Sequence, residues 1–165
     1  MVTIIKKLPI ERWREYKQLR LDALQDCPFA FQEDYETAAA QPDSYWQDAL
    51  KERFIYFAET DGNLVGTAGF FRKPGSKQAH VVVLVGVYVR PETRGQGIAG
   101  KLIAAIEQTV REMSGVRKIT LAVTSAQMAA HHLYIKLGFS EVGLRKEHFN
   151  VGDRFFDEYM MEKFL

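Results

Sequence analysis

The feature that most constrains the fold is the segment from Val83 to Ile103, VLVGVYVRPETRGQGIAGKLI, in which a strand, a glycine-rich turn and a helix follow one another. The nearly unbroken apolar run before the turn is typical of a strand that is buried on both faces. Apolar residues at helical spacing follow the turn. Together they predict a helical crossover within a mixed α/β fold.

The rest of the chain shows no repeat, low-complexity tract or linker, which predicts a single domain over residues 1–165. Segments with the apolar pattern of strands and segments with apolar residues at helical spacing follow one another along the chain. The stretch PFAFQEDYETAAA is ambiguous between helix and loop. The predicted order is β-α-α-β-β-β-α-β-α-β-β. This order describes an α/β fold of the α+β type, with a largely antiparallel sheet flanked by helices.

Composition narrows the classes of partner. Lys and Arg number 22 against 21 Asp and Glu, a net charge of +1, so no basic field favours nucleic acid or an anionic membrane. The single cysteine, Cys27, has no partner for a disulfide or a thiolate metal site, and no histidine cluster has metal spacing. We therefore expect no metal. Without a signal peptide or a long apolar run, the expected location is the cytoplasm.

Three phosphate-binding patterns fit the turn RGQGIAG, and two of them fail in their context. A dinucleotide turn needs its first glycine at the strand end and an acidic residue about 20 positions later. Here five residues separate Val89 from Gly95, and the later region TLAVTS has no acid. A P-loop needs Ser or Thr after its lysine, but position 102 is Leu102.

The remaining pattern is R-x-x-G-x-A at the start of a helix near Ile98. Free backbone N–H groups and the helix dipole favour an anion there, and glycines allow close approach of the backbone. Arg94 and Lys101 can add charge. The turn alone leaves two interpretations, a pyrophosphate site and a strand-to-helix turn without a ligand.

Two linked motifs resemble one family. The segment VGVYVRPETRGQGIAGKLI is similar to motif A of the GNAT family of N-acetyltransferases, and LAVTSAQMAAHHLYIKLGF is similar to that family's later helix segment. The tail GDRFFDEYMMEKFL is similar to its closing strand pair. The resemblance spans nearly the whole chain.

The resemblance implies acetyl-CoA as donor, direct attack in a ternary complex, and the GNAT fold. The implied acceptor is a primary amine, either of a small molecule or of a protein or peptide. The resemblance leaves a homodimer open. Backbone groups of the long strand would pair with the pantetheine arm, as in β-augmentation. Gly86 indicates a bulge or a close backbone approach, which would separate this strand from ITLAV and open a slot between them. The implied cofactor-binding residues are Val87, Tyr88, Val89, Arg94, Gly95, Gln96, Gly97, Ile98, Ala99, Gly100, Lys101, Gln127 and Tyr134.

The resemblance also implies a catalytic role for Tyr134, whose phenol would protonate the leaving thiolate; the alternative is an aromatic core residue. Gln127 stands where many relatives carry Asn. Many relatives also carry a strand Glu as base, but VVVLVGVYV and ITLAVTS contain no carboxylate. His80 is a candidate base by its intrinsic pKa, or else an exposed residue at the strand edge.

The segment after the first helix is where this family builds its acceptor wall. Its acidic and aromatic residues could bind an ammonium group or simply form a charged loop and core. The candidate substrate-binding residues are Phe29, Phe31, Glu33 and Tyr35. Because the strand carboxylate is missing, a module that binds acetyl-CoA without turning it over is the alternative function.

Overall fold

The computed structural model describes residues 3–165, except the side chain of Ile4. The pattern VTIIKKL predicts that the first strand begins at Val2, which lies outside the described residues. One sheet contains seven strands in the order β1-β2-β3-β4-β5-β7-β6. The strands are β1 (Thr3–Lys6), β2 (Phe54–Thr60), β3 (Asn63–Arg72), β4 (Val81–Val89), β5 (Lys118–Thr124), β6 (Ser140–Val151) and β7 (Arg154–Phe164). The helices are α1 (Trp13–Asp26), α2 (Tyr35–Ala39), α3 (Asp43–Glu52), α4 (Ile98–Glu112) and α5 (Met128–Lys136).

The predicted order is confirmed, with one addition in the segment that the sequence left ambiguous. There the short helix α2 forms because the Asp34 carboxylate accepts a hydrogen bond from the backbone N–H of Thr37 at 2.7 Å, an N-cap. The predicted hairpin between β2 and β3 turns at Asp61 and Gly62, both with positive φ.

Two apolar clusters cover the two faces of the sheet. On one face α4 buries Leu102 and Ile106 completely against β2–β5. On the other, α1 and α3 bury Leu19 and Trp46 against Phe57. Each such side chain stabilises the fold by about 1.5–3 kcal/mol when removed from water. The sheet is therefore a fixed middle layer, and its strand ends position the residues discussed below.

Among the strands of residues 3–165, only β4 and β5 pair in parallel, across the predicted crossover through α4. The other neighbouring strands pair antiparallel, as expected for a largely antiparallel sheet. Within residues 3–165 no helix combines the length and apolarity needed to cross a bilayer.

Candidate active site

The two parallel strands separate after their first three residues. Their pairing register covers Val81–Val83 against Lys118–Thr120, whereas β4 runs on to Val89. A narrow cavity of about 70 Å³ fills the gap, lined by both strands and by Tyr134 of α5. We call it the wedge cavity. Within the described sheet, β4 beyond Val83 thus presents an edge that β5 leaves unpaired.

A β-bulge lies on this free edge, as the sequence predicted. Gly69 of β3 pairs with Val85 and Thr67 pairs with Tyr88, so three steps along β4 match two along β3. The extra residue sits at Gly86, whose φ of +64° is unfavourable for residues other than glycine. The space where a Cβ would stand has no atom within 4 Å.

The bulge reverses the alternation of side chains along β4. Leu84 before it and Val87 after it both pack in the α4 cluster, although an unbroken strand would put them on opposite faces. Tyr88 consequently enters the cluster under α1 and α3. Its side chain is 5% exposed, and burial raises its pKa to about 12. The Tyr88 side chain is therefore part of the core.

The glycine turn is preorganised for close approach by an anion. Gly95 and Gly97 have φ of +80° and +74°, and a Cβ on either, or on Gly100, would meet no atom within 4 Å. The backbone N–H of Lys101 donates to the carbonyl of Gly97 at 3.1 Å. The N–H groups that precede it in the first turn of α4, starting at Ile98, point out of the helix end. These features fit the pyrophosphate of a CoA.

A cavity of about 530 Å³ joins this turn to the wedge cavity, and we call it the turn cavity. Its lining includes most of the predicted cofactor residues. Those residues are Val87, Tyr88, Val89, Arg94, Gly95, Gly97, Ile98, Ala99, Gly100, Gln127 and Tyr134. Gln96 and Lys101, which belong to the same turn, are exposed.

Arg94 is held by the protein itself. Its guanidinium forms an ion pair with Asp26 at the end of α1, and its Nε donates to the carbonyl of Val89 at 2.9 Å. Asp26 offsets much of the positive charge of Arg94. The ion pair also tethers the turn to α1. In the part of the chain that the structure describes, Lys101 has no ion pair, and it is the freer cation for a phosphate.

Tyr134 lines both the wedge cavity and the turn cavity. It is 6% exposed and packs edge-to-face against Phe139 with ring centroids 5.9 Å apart. Burial raises its pKa above the ordinary value, so the phenol is protonated at neutral pH and can donate a hydrogen bond. Tyr134 therefore both packs in the core and lines the two cavities.

Gln127 and Cys27 also line these cavities. Gln127 immediately precedes α5 and lines both cavities. Cys27 lines the turn cavity, and burial raises the pKa of its thiol. Because the thiolate is the nucleophilic form, Cys27 is unsuited to carry an acetyl group.

A third cavity, of about 640 Å³, lies on the α1 and α3 side of the sheet. We call it the α1–α3 cavity. Gly86 lines both it and the wedge cavity, so the bulge borders both spaces. Aromatic side chains form much of its wall: Tyr16, Tyr45, Trp46, Phe54, Phe70 and Phe71.

The four predicted substrate residues separate in space. Glu33 lines the α1–α3 cavity and Phe31 lines the wedge and turn cavities. Phe29 packs against Phe156 of β7 with ring centroids 5.8 Å apart, and Tyr35 packs against the cluster under α1 and α3. The structure thus brings Glu33 and Phe31 to the cavities, while Phe29 and Tyr35 make packing contacts.

His80 does not meet the requirements of a base. It is exposed and precedes β4, six residues before Gly86, which at about 3.3 Å per strand residue is roughly 20 Å away. A general base must lie within hydrogen-bond reach of the proton that it removes, directly or through one water. The interpretation of His80 as an exposed strand-edge residue is therefore correct.

Sequence patterns missed several lining residues. Thr124 ends β5 in the wedge cavity, where its Oγ1 is buried without a hydrogen-bond partner among the described residues. Arg20, Arg53 and Arg72 line the α1–α3 cavity. No motif marks them, because the cavity forms only when α1, α3 and three strands pack together.

Comparison with known proteins agrees with this geometry. Residues 14–139 match the acetyltransferase (GNAT) family. An uncharacterized N-acetyltransferase from the hisH–hisA intergenic region of Azospirillum brasilense is 30% identical over 105 residues, so the chain spans 62% of that relative's length and the match covers 61% of this chain.

Solved structures share the fold. An acetyltransferase of the GNAT family from Streptococcus pneumoniae superimposes with a TM-score of 0.89 at 17% identity, covering 99% of this chain and 100% of that one. The yncA protein of Salmonella typhimurium, solved with its cofactor acetyl-CoA, gives 0.82 at 18% identity and covers 100% and 95%. The family match extends over most of the chain, and the protein therefore belongs to the GNAT family of acetyltransferases, enzymes that transfer an acetyl group from acetyl-CoA to an amine.

Proposed function

We propose that this N-acetyltransferase binds acetyl-CoA along the free edge of β4 and acetylates an amine that enters through the α1–α3 cavity. The observation that carries the proposal is that the α1–α3 cavity and the wedge cavity both border Gly86, beside a glycine turn open to a pyrophosphate. Backbone groups of Val87, Tyr88 and Val89 would pair with the pantetheine arm as an added strand. The turn from Arg94 to Lys101, together with Gln127, would hold the rest of the cofactor.

The thioester of acetyl-CoA supplies an activated acyl group, and the chain supplies its polarisation. Backbone N–H groups at the bulge, next to Gly86, are placed to donate to the thioester oxygen as negative charge develops on it. Because the bulge takes these groups out of regular pairing with β3, they become available without breaking the sheet.

Direct attack by the amine fits two cavities that border the same residue, Gly86. The amine nitrogen forms a bond to the acyl carbon, the carbon–sulfur bond breaks, and the nitrogen loses a proton while the sulfur gains one. No residue on either central strand is a carboxylate. Cys27, which lines the turn cavity, stays a thiol because burial raises its pKa. A ternary complex therefore explains the site better than an acetylated enzyme.

Tyr134 is the proposed acid. Its neutral phenol lines the wedge cavity from α5, beside the bulge, and can donate to the departing sulfur. Its raised pKa makes it a weaker acid than an ordinary tyrosine, so its contribution belongs at the low end of the general-acid range of roughly 10²–10⁴-fold or below it.

Glu33 is the proposed electrostatic partner of the incoming ammonium group. Arg20 donates through Nε and Nη2 to one oxygen of Glu33, Oε2, at 3.2 and 3.0 Å. Within residues 3–165 the other oxygen, Oε1, makes no hydrogen bond with the protein. This oxygen is available to hold the ammonium group of the acceptor until that group loses its proton to water.

We further propose that residues 1–165 act as one catalytic domain in the cytoplasm. The single sheet that runs from β1 to β7 supports one domain. A homodimer is also proposed, supported by exposed apolar side chains on α5 and β6, namely Ile135, Val142 and Leu144. Sedimentation velocity measures that state directly.

Release of free thiol from acetyl-CoA, with and without a panel of primary amines, tests the function. We expect amine-dependent release and one acetylated amine per thiol. If the protein binds acetyl-CoA but no amine accelerates thiol release, the protein is a binding module and the proposal fails.

A further inference from the structure

The charge of the α1–α3 cavity is unusual for a site that receives an amine. Its lining balances the cations Arg20 and Arg53 against the carboxylates Glu33 and Glu52, while the guanidinium of Arg72, also a lining residue, bonds to two backbone carbonyls. A cavity that selected acceptors by their ammonium group alone would be expected to carry an excess of negative charge. The arginines indicate a second, anionic group on the acceptor.

Two of the three arginines are already occupied by the protein. Arg20 is paired with Glu33 at 3.0 Å. Arg72 donates through Nη2 to the carbonyl of Ser114 at 3.1 Å and through Nε to the carbonyl of Ala79. Both arginines therefore connect segments of the fold and have few donors left for a ligand.

Arg53 is different. In the described part of the chain its side chain makes one hydrogen bond, from Nη1 to the Tyr45 hydroxyl at 3.2 Å, and forms no ion pair. Its guanidinium lies over the Tyr45 ring, 4.8 Å from the centroid. This stacking holds the planar group in place and leaves most of its five donors for another partner.

The backbone fixes Arg53 at the junction between α3 and β2. It is the residue that ends α3, and its N–H donates to the carbonyl of Ala49 at 3.1 Å. Because Arg53 is joined to α3 on one side and to β2 on the other, its backbone is held at a fixed position at the rim of the cavity. The residue is exposed, so a small ligand can reach it.

The sheet sets the spacing between this cation and the bulge. Gly69 of β3 pairs with Ile55 of β2 on one side and with Val85 of β4 on the other. Ile55 and Val85 are thus two strand spacings apart, about 10 Å. Arg53 lies two residues before Ile55 and lines the same cavity as Gly86. Its long side chain shortens the distance between its guanidinium and Gly86 to the length of a small molecule.

We propose that the acceptor is a small primary amine that also carries an oxyanion, and that Arg53 binds this oxyanion while the amine lies near Gly86. The proposal rests on the proposed acetyltransferase function and adds the acceptor's chemical class. A guanidinium fork matches a carboxylate or a phosphonate with two parallel hydrogen bonds, which a neutral amine cannot form. Arg53 is therefore a specificity residue, whereas the transfer itself takes place at the bulge.

The test compares matched acceptors: an α-amino acid, its aminophosphonate analogue, and the corresponding amine without an acidic group. Rates are compared at pH values where each amine is equally deprotonated. We expect kcat/KM of wild type to be at least 10-fold higher for one or both anionic acceptors. Arg53→Met should lower that value about 10- to 100-fold, mainly through KM, and change the neutral amine less than about 3-fold.

Two further variants separate specificity from folding. Arg53→Lys keeps the charge but loses the fork, and it should recover only part of the preference. Arg14→Met is the matched control, since Arg14 also stacks on an aromatic ring, that of Trp13 at 4.4 Å, and is absent from the cavity lining. It should behave like wild type.

Equal use of the neutral and anionic amines by wild type would overturn the proposal, as would an equal loss for both in Arg53→Met. Either result would leave acetyl transfer standing, because turnover of the neutral amine persists. If instead no amine of any charge released thiol, the proposed function itself would fail.

Discussion

Gly86 of β4 and Tyr134 of α5 line the same narrow cavity between the two parallel strands. Gly86 also lines the α1–α3 cavity, and Tyr134 also lines the turn cavity. The two residues therefore mark the place where a donor held by the turn and an acceptor held under α1 and α3 can meet. The predictions below test this arrangement from both sides.

The glycine turn should lose cofactor binding when a branched side chain is introduced. Gly97→Val places a Cβ in the space proposed for the pyrophosphate, at a φ of +74° that valine disfavours. Acetyl-CoA should raise the melting temperature of wild type, because saturation at one hundred times Kd adds about 2.7 kcal/mol. The variant should show no such shift, and ATP with magnesium should give much less shift with wild type.

Gly75→Val is the control for backbone strain. Gly75 has a φ of +84° with open space around its Cβ position, but it lies in the turn after β3 and lines none of the three cavities. It should melt lower than wild type and yet keep the acetyl-CoA shift. A normal shift in Gly97→Val would contradict the assignment of the turn.

The bulge should matter to the rate more than to stability. Gly86→Ala costs roughly 1–2 kcal/mol, because a Cβ disfavours a φ of +64°. Relaxation of that strain would move the N–H groups proposed to polarise the thioester, so kcat should fall at least 10-fold. Gly62→Ala, in the β2–β3 hairpin at a φ of +82°, should lose similar stability with little change in kcat. Equal kcat effects in the two variants would argue against the bulge as an oxyanion site.

The pH profile should follow the acceptor. With no strand carboxylate and with His80 far from Gly86, the acidic limb of kcat/KM should move with the pKa of the acceptor amine. His80→Gln should leave that limb unchanged. A limb that stayed fixed across acceptors of different basicity would reveal an enzyme base that our account lacks.

We make a separate prediction for the fall of kcat at high pH. Tyr134 must be neutral to donate, and burial raises its pKa, so ionisation of this group should begin to reduce kcat only above about pH 10. A loss of kcat at lower pH that disappeared in Tyr134→Phe would contradict the raised pKa.

Local patterns were enough to predict the elements that we propose to carry the cofactor. The apolar run up to Val89, the glycines of the turn and the apolar stripe of α4 each have a periodicity or a backbone requirement that is written in adjacent residues. Gly86 belongs to the same class, since a glycine inside a strand indicates a bulge. For this reason the order of elements was predicted correctly apart from α2.

The acceptor side could not be predicted in the same way. The α1–α3 cavity takes Arg53 from the end of α3, Gly69 from β3 and Val85 from β4, which are brought together by sheet register and helix packing. Phe29 and Glu33 are four residues apart in one loop, yet one packs on β7 and the other lines the cavity. Composition alone cannot separate two such neighbours.

Tyr134→Phe tests the central claim most directly, because it removes one hydroxyl and keeps the ring packed against Phe139. The control is Tyr56→Phe, which removes the hydroxyl that contacts Thr109 at 2.7 Å on the α4 side of the sheet. Both variants should bind acetyl-CoA like wild type in calorimetry. The measurement is the single-turnover rate of acetyl transfer at saturating amine, where product release cannot mask the chemical step. We predict a fall of about 10- to 100-fold for Tyr134→Phe, roughly 1.4–2.7 kcal/mol of transition-state stabilisation, and no change for Tyr56→Phe; an unchanged rate in Tyr134→Phe would mean that Tyr134 only fills the core and that the proposed acid is wrong.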